Sequence, residues 1–260
     1  MPTVKTDDGI DIRYRIDGAD GSRPLILSNS LGTNLTMWDA QVAAFSASRR
    51  LVRYDQRGHG GSSAPAGSYA MERLGRDVIA LMDALGLATA DFCGISMGGM
   101  TGMWLGANEG GRFGRLVLSN TSAHMPDKAP WESRIAAVRA GGMRAIEAAV
   151  LERWFTPAFR EANPDEADRV LAMIRATDPA GYVGCCAAVR DMDHRALLAR
   201  IALATLVVIG GHDAATPPEA GRAIAAAVPG ARLVELDAAH LSNIEQPRRF
   251  TEAVLAFLDQ

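Results

Sequence analysis

Gly94-Ile95-Ser96-Met97-Gly98, preceded by the short run Asp91-Phe92-Cys93 and followed by Gly99, has the pattern of a strand that turns sharply into a helix and presents a serine at the turn. In that setting a G-x-S-x-G pattern carries a nucleophile. Alone, the pattern is weak. With 26 glycines in 260 residues, a stray match has roughly a one-in-ten chance, and Ser96 could equally be a serine in a glycine-rich turn or helix cap. Its flanks have to choose between these readings.

Behind Ser96 a helix runs from about Met97 to Asn108, and Arg115-Leu116-Val117-Leu118-Ser119 reads as a further strand. In front, from about Ser68 to Leu85, the apolar residues Leu74, Val78, Leu81, Met82 and Leu85 recur at three- and four-residue steps. Gly86 then stands where a helix C-terminus favours glycine. Earlier still, Pro24–Ser28 and Leu51–Tyr54 read as buried strands, and Thr3–Thr6 with Asp11–Ile16 as a hairpin turning at Asp8-Gly9. Downstream, Thr205–Ile209 and Arg232–Leu236 are strands. Helices are expected near Pro218–Val228 and from about Pro247, the last with Phe250, Val254, Phe257 and Leu258 on one face. Strands alternating with helices predict an α/β fold, a mostly parallel central sheet covered on both faces.

Between Met125 and Arg195 the strands stop and only helical periods remain. Ile135 and Val138 mark one; Ile146, Val150, Leu151 and Trp154 a second; Val170, Leu171 and Ile174 a third. A fourth opens at Asp178-Pro179, an N-cap followed by proline at the first helical position. Gly141-Gly142, Pro157 and Pro164 break these pieces. Helices this short need something to pack against. The expectation is a helical cap, residues 125–195, inserted into a core made of 1–124 and 196–260.

Composition narrows the partners. Hydrophobic residues at 48% and charged residues at 22% are ordinary for a globular protein. A net charge of −3 gives no general attraction to nucleic acid or an anionic membrane, and no apolar run is long enough to span a bilayer. An acidic substrate would therefore need a local cation. Lys5 and Lys128 are the only lysines, so that cation is expected to be an arginine. Cys93 and the adjacent Cys185-Cys186 fit neither a disulfide framework nor a zinc spacing. The segment Met1–Asp8 has no apolar h-region. Reduced thiols, no secretion signal and a cytoplasmic location are the matching expectations.

In an open parallel sheet, reactive groups sit in loops beyond the carboxyl ends of strands. Ser96, Asp213 and His240 each occupy such a place. Taken singly, Asp213 is a plausible helix cap and His240 a partly buried loop histidine. Together they run Ser, Asp, His along the chain, the order of an α/β-hydrolase. A serine hydroxyl needs a base, which assigns His240; the base needs its tautomer held, which assigns Asp213. The oxyanion requires two backbone N–H groups. Met97, directly after the nucleophile, supplies one, and Leu31, in the loop after the Pro24–Ser28 strand, the other. Asp55 with His59 forms a rival pair, but its Arg57-Gly58-His59-Gly60 setting reads as a structural turn. His212 should point away from Asp213. His124 and His194 lack partners at a ligand spacing, so no metal is expected.

Asp55-Gln56-Arg57-Gly58-His59-Gly60, like the Ser96 turn, Asp213 and His240, is a general hydrolase feature; more specific stretches are Asn29-Ser30-Leu31-Gly32-Thr33, Glu152-Arg153-Trp154-Phe155-Thr156-Pro157-Ala158-Phe159, Ala176-Thr177-Asp178-Pro179 through Cys185-Cys186-Ala187-Ala188 to Arg190-Asp191-Met192-Asp193, and Leu236-Asp237-Ala238-Ala239-His240-Leu241-Ser242-Asn243-Ile244-Glu245-Gln246-Pro247. On these the chain resembles, over essentially its whole length, the 3-oxoadipate enol-lactonases, a cofactor-free family of α/β-hydrolases. Asn29-Ser30 stands where hydrolases at large carry His-Gly, and Met97 where leucine is commoner. The resemblance implies hydrolysis of a small lactone in the β-ketoadipate pathway of aromatic degradation, through an acyl-enzyme on Ser96 and without a cofactor. Such a lactone bears a free carboxylate. Trp131 with Arg134, three residues apart on one helix face, is the pair expected to bind it, with Arg153 and Trp154 as the alternative. A broad carboxylesterase or a cofactor-free perhydrolase would use the same triad, and a non-catalytic small-molecule receptor could share the fold.

Overall fold

The computed structural model describes all 260 residues. Eight strands form one sheet: β1 (Thr3–Lys5), β2 (Asp11–Asp17), β3 (Pro24–Ser28), β4 (Arg50–Tyr54), β5 (Ala90–Ile95), β6 (Phe113–Ser119), β7 (Ala204–Gly210) and β8 (Arg232–Leu236). Their order is β1-β2-β4-β3-β5-β6-β7-β8. β1 and β2 pair antiparallel, as do β2 and β4, and every other pairing is parallel. The central strands are apolar throughout because both faces are covered. β5, for example, is buried at all six positions.

The order of the strands explains where a site can form. From β3 the chain crosses one way to β4, through the Asp39–Ser46 helix. From β4 it returns over β3 to β5 through the Met71–Ala84 helix, and continues the same way to β6 through Met97–Asn108. Right-handed crossovers in opposite directions put their helices on opposite faces. The contacts agree: Asp39–Ser46 packs on the final helix, Pro247–Leu258, while Met71–Ala84 packs on Met97–Asn108. The reversal leaves a crevice between the carboxyl ends of β3 and β5, the topological switch point. Register aligns those ends in one row: Ser28 pairs with Gly94, Ile95 with Ser119, Ser119 with Val208, and Gly210 with Leu236.

Helix bounds follow the residues. The expected Ser68–Leu85 helix begins later, at Met71, and Gly86 follows it with φ +66°. Between β6 and β7 lie helices at Ala129–Gly141, Glu147–Trp154, Pro157–Ala162, Pro164–Ala176 and Pro179–Asp191, with a single turn at Arg195–Leu198. Pro157 and Pro164, read from sequence as breaks, are instead the first residues of two helices, a position where the missing N–H costs nothing. Asp178 caps the last long helix by accepting from the Ala180 and Gly181 N–H groups, at 2.8 and 3.1 Å. The Asp39–Ser46 helix carries no apolar stripe in sequence, since one of its two buried positions is Gln41, which donates to the Asn243 carbonyl at 2.8 Å. No helix is long and apolar enough to cross a membrane.

Candidate active site

Ser96 sits at the tip between β5 and the Met97–Asn108 helix with φ +57° and ψ −115°. A backbone in that region costs ~1–3 kcal/mol for a residue with a Cβ. Its surroundings hold it there. Ser96 N–H donates to the Ser119 carbonyl (2.9 Å), and its own carbonyl accepts from Met100 N–H (2.9 Å) and Thr121 Oγ1 (2.8 Å). The turn closes only around glycine. A Cβ on Gly94 would overlap Gly98, one on Gly98 would overlap the Ser28 carbonyl, and one on Gly99 would stand 2.7 Å from Thr121 Cβ.

Gly98 N–H donates to the Asn29 carbonyl at 3.0 Å, which ties the start of this helix to the loop after β3. Met97 directly precedes Gly98, and Leu31 lies two residues beyond Asn29. Met97 and Leu31 are both buried, and neither backbone N–H has a hydrogen-bond partner within the protein. Two unpaired buried donors at a switch point are an unusual expense.

Beyond β7 and β8 the structure brings Asp213 and His240 together, with His240 Nδ1 2.8 Å from Asp213 Oδ2. Asp213 is otherwise saturated. Its Oδ1 accepts from the Ala215 and Thr216 N–H groups (2.8 and 2.9 Å), and its Oδ2 from Thr216 Oγ1 (2.8 Å) and Asn120 Nδ2 (3.1 Å). Burial pushes this carboxyl's pKa up. The neighbouring imidazole and these donors outweigh burial and hold it below the ordinary carboxylate value. His240 and Ser96 line the same cavity of about 320 Å³. They are not hydrogen-bonded to each other here, in keeping with catalytic contacts that tighten only on substrate. Trp154, from the inserted helices, stacks on the His240 ring with centroids 6.2 Å apart.

Three supporting residues escaped the sequence reading. Asn120, with φ +44°, accepts at Oδ1 from Ser119 and Ser242 hydroxyls (2.8 and 2.6 Å), so its amide nitrogen must face Asp213 and the Ala239 carbonyl. Thr216 lies three residues after Asp213, a spacing that does signal a capped turn. Glu245 accepts from Ala239 N–H (2.7 Å) and from both the hydroxyl and N–H of Thr156.

Both arginine–tryptophan pairs weighed from sequence reach this cavity. Trp131, Arg134, Arg153 and Trp154 all line it, and the Arg134 guanidinium lies 4.6 Å from the Trp131 ring centre. Neither arginine is paired with a carboxylate, whereas most of the chain's other arginines are. Burial and the like charge of Arg134 lower the pKa of Arg153.

The family model for the alpha/beta hydrolase fold matches residues 23–247. The chain belongs to the alpha/beta hydrolase family. Among alpha/beta hydrolases it is 39% identical over 253 residues to 3-oxoadipate enol-lactonase 2 of Acinetobacter baylyi, covering 97% of this chain and 95% of that one. The enol-lactonase structure from Burkholderia xenovorans superimposes with a TM-score of 0.98 at 44% identity, covering all of both chains. A hydrolase structure from Pseudomonas aeruginosa gives 0.97 at 48% identity, covering 100% and 98%. Within the alpha/beta hydrolases this chain groups with the enol-lactonases.

The other polar candidates of this alpha/beta hydrolase are engaged elsewhere. Asp55 accepts from Leu35 and Gly61 N–H groups (2.8 and 2.9 Å) and pairs with Arg13, not with His59. His212 points outward to Asp237 at 2.7 Å. His124 Nδ1 lies 3.4 Å from the Met192 carbonyl. All three cysteines are unpaired and buried, and no three His, Cys, Asp or Glu side chains cluster as metal ligands.

Burial pushes both His59 and His194 down to about 4 from an ordinary 6.5. Protons therefore bind the unfolded chain more readily than the folded one between those values. The stabilising contribution is complete above pH 6.5, declines as pH falls through that window and is gone below about 4. Each histidine accounts for up to about 3 kcal/mol. The denaturant midpoint is expected to drop between pH 7 and pH 4.5, and His194→Gln to flatten that drop. A midpoint unchanged across the range would contradict the assignment.

Proposed function

We propose that this enzyme hydrolyses 3-oxoadipate enol-lactone to 3-oxoadipate through a Ser96 acyl-enzyme, in the cytoplasm, with residues 125–195 as a cap over a core of 1–124 and 196–260. The observation that carries this reading is the unpaired Arg134 and Arg153 in the cavity that also holds Ser96 and His240. In a protein of net charge −3, two half-buried cations in one cavity, neither of them in a salt bridge, suit an anionic substrate, and a planar guanidinium matches a carboxylate bidentately. The enol-lactone has that carboxylate, and two of the relatives just described are named as a 3-oxoadipate enol-lactonase and an enol-lactonase.

The chemistry then follows from the groups present. His240 Nε2 takes the Ser96 hydroxyl proton as Oγ bonds to the lactone carbonyl carbon. The negative charge on the former carbonyl oxygen is met by the Leu31 and Met97 N–H groups. Collapse breaks the ring C–O bond. An enolate leaves, a better leaving group than an alkoxide, and the proton on His240 returns to it as it becomes the ketone. The opened chain remains as an ester on Ser96 until His240 deprotonates a water; the hydroxide adds to the ester carbonyl, the bond to Ser96 Oγ breaks, and the proton on His240 returns to that oxygen as 3-oxoadipate leaves. Asp213 keeps the Nδ1–H tautomer throughout.

A direct assay on 3-oxoadipate enol-lactone, with Ser96→Ala as control, tests this. Turnover of p-nitrophenyl acetate but not of the lactone would instead indicate a general esterase. Arg134→Ala is expected to raise KM for the acidic lactone about 10- to 100-fold, the worth of a charge-assisted bond, and to leave KM for p-nitrophenyl acetate within about twofold. Equal effects on the two substrates would remove Arg134 from carboxylate recognition.

A further inference from the structure

His59 is buried and takes no part in the chemistry above, yet its ring reaches the loop that carries Leu31. Gly32 N–H donates to His59 Nε2 at 2.8 Å. An imidazole nitrogen that accepts a hydrogen bond is unprotonated, so the ring's proton is on Nδ1, which lies 3.2 Å from the Arg57 carbonyl. The surroundings favour the uncharged ring, since burial lowers its pKa to about 4.

The rest of the loop shows what this contact controls. A peptide unit is planar, with its C=O and N–H directed oppositely. The unit joining Ser30 to Leu31 has its carbonyl held by Thr33 N–H (3.2 Å) and Thr33 Oγ1 (2.7 Å), which turns the Leu31 N–H away from Thr33. The next unit, Leu31–Gly32, has no such clamp on its carbonyl, and His59 is the acceptor for its N–H. Gly32 is at φ +83°, and its own carbonyl accepts from Thr177 Oγ1 at 3.3 Å. Without an acceptor at position 59, a buried N–H would lose its partner next to the oxyanion donor, and the cheapest remedy is rotation of that unit.

We propose that His59 is a positioning residue: its neutral Nδ1–H tautomer accepts the Gly32 N–H and so, from the far side of Leu31, completes the clamp that Thr33 begins and keeps the Leu31 N–H aimed at the reacting carbonyl. The imidazole stays fixed because its own turn is wedged. Gly58 packs on Gly181 of the inserted helices so closely that a Cβ on Gly58 would stand 2.6 Å from the Gly181 Cα, and Cys185 Sγ donates to the Arg57 carbonyl at 3.5 Å. The inference rests on Leu31 as an oxyanion donor and not on the identity of the lactone.

The test compares His59→Leu, His59→Asn and His59→Gln. Readouts are kcat and KM for p-nitrophenyl acetate and the affinity of phenylboronic acid, whose tetrahedral adduct on Ser96 places an oxygen in the oxyanion site without turnover. H59L and H59N are expected to lower kcat about 10- to 100-fold, less than the loss of a whole oxyanion donor. KM should stay within about twofold, and boronate binding should weaken by a similar factor to kcat. H59Q, whose amide oxygen can stand in for Nε2, is expected to remain within about threefold of wild type on both readouts. A merely structural role would lower the melting temperature of H59L and leave kcat and boronate affinity unchanged; that result overturns the proposal. So does H59Q as impaired as H59N, a comparison that stands even if H59L does not fold. Wild-type protein inactive on the enol-lactone but active on the ester would remove the substrate assignment and leave this comparison intact.

Discussion

Ser96→Ala protein is expected to fold normally and to lose on the order of 10⁶ in kcat toward ester or lactone. The loss is large because the triad acts as a unit. With no Oγ, His240 has no proton to take, and the Leu31 and Met97 N–H groups can assist only the background attack of water. Stability should hardly change, since no hydrogen bond of the Ser96 hydroxyl supports the fold and a Cβ remains in the same strained φ. Ser96→Gly sharpens the point. It should be equally inactive yet gain on the order of 1 kcal/mol, because glycine adopts φ +57° without penalty. Single-turnover kinetics and denaturant melts check both halves. Alanine protein turning over at more than about a thousandth of the wild-type rate would remove Ser96 as nucleophile.

Asp213→Asn is expected to cost about 10⁴ in kcat, and the structure says why the amide cannot adapt. The Ala215 and Thr216 N–H groups at Oδ1 demand an oxygen there, so the new NH₂ falls at Oδ2, facing His240 Nδ1. Donation to Nδ1 forces the proton onto Nε2, where it blocks acceptance from Ser96. Asn120 gives no relief. Its Oδ1 is committed to the Ser119 and Ser242 hydroxyls, which leaves its own NH₂ pointing at the new one. The measurement is kcat of the two proteins side by side on one substrate under one set of conditions. A loss under tenfold would mean the imidazole keeps its tautomer without the carboxylate.

Much of this was legible in the residues. Alternating strands and helices, glycines around Ser96 and the Ser, Asp, His order are local signals repeated at three strand ends, and the parallel sheet and the row of loops follow from them. The Met97–Asn108 helix follows the Ser96 turn as expected, and Pro247–Leu258 lies where its apolar periodicity puts it. The Asp39–Ser46 helix was invisible because tertiary packing, not an apolar stripe, buries Gln41. Pro157 and Pro164 read as interruptions because a proline that ends one helix and one that starts the next look alike without the neighbouring backbone. Asn120 and Glu245 were missed for a different reason. Each acts by closing hydrogen bonds between segments far apart in the chain, and spacing cannot report that. Arg134 and Arg153, offered as alternatives by sequence, share one cavity.

The joints between the inserted helices and the sheet have a further consequence. Trp154 stacks on His240 and its carbonyl accepts the Leu241 N–H at 3.1 Å; Thr156 grips Glu245, Thr177 grips Gly32, and Gly181 lies on Gly58. These contacts end at or close to His240, the loop after β3 and His59. The insertion is therefore not an interchangeable cover. A chimaera that borrowed it from a relative to change the substrate would also disturb His240 and the loop after β3, so choice of substrate and rate of turnover are expected to evolve together in this chain, through paired changes on both sides of the seam.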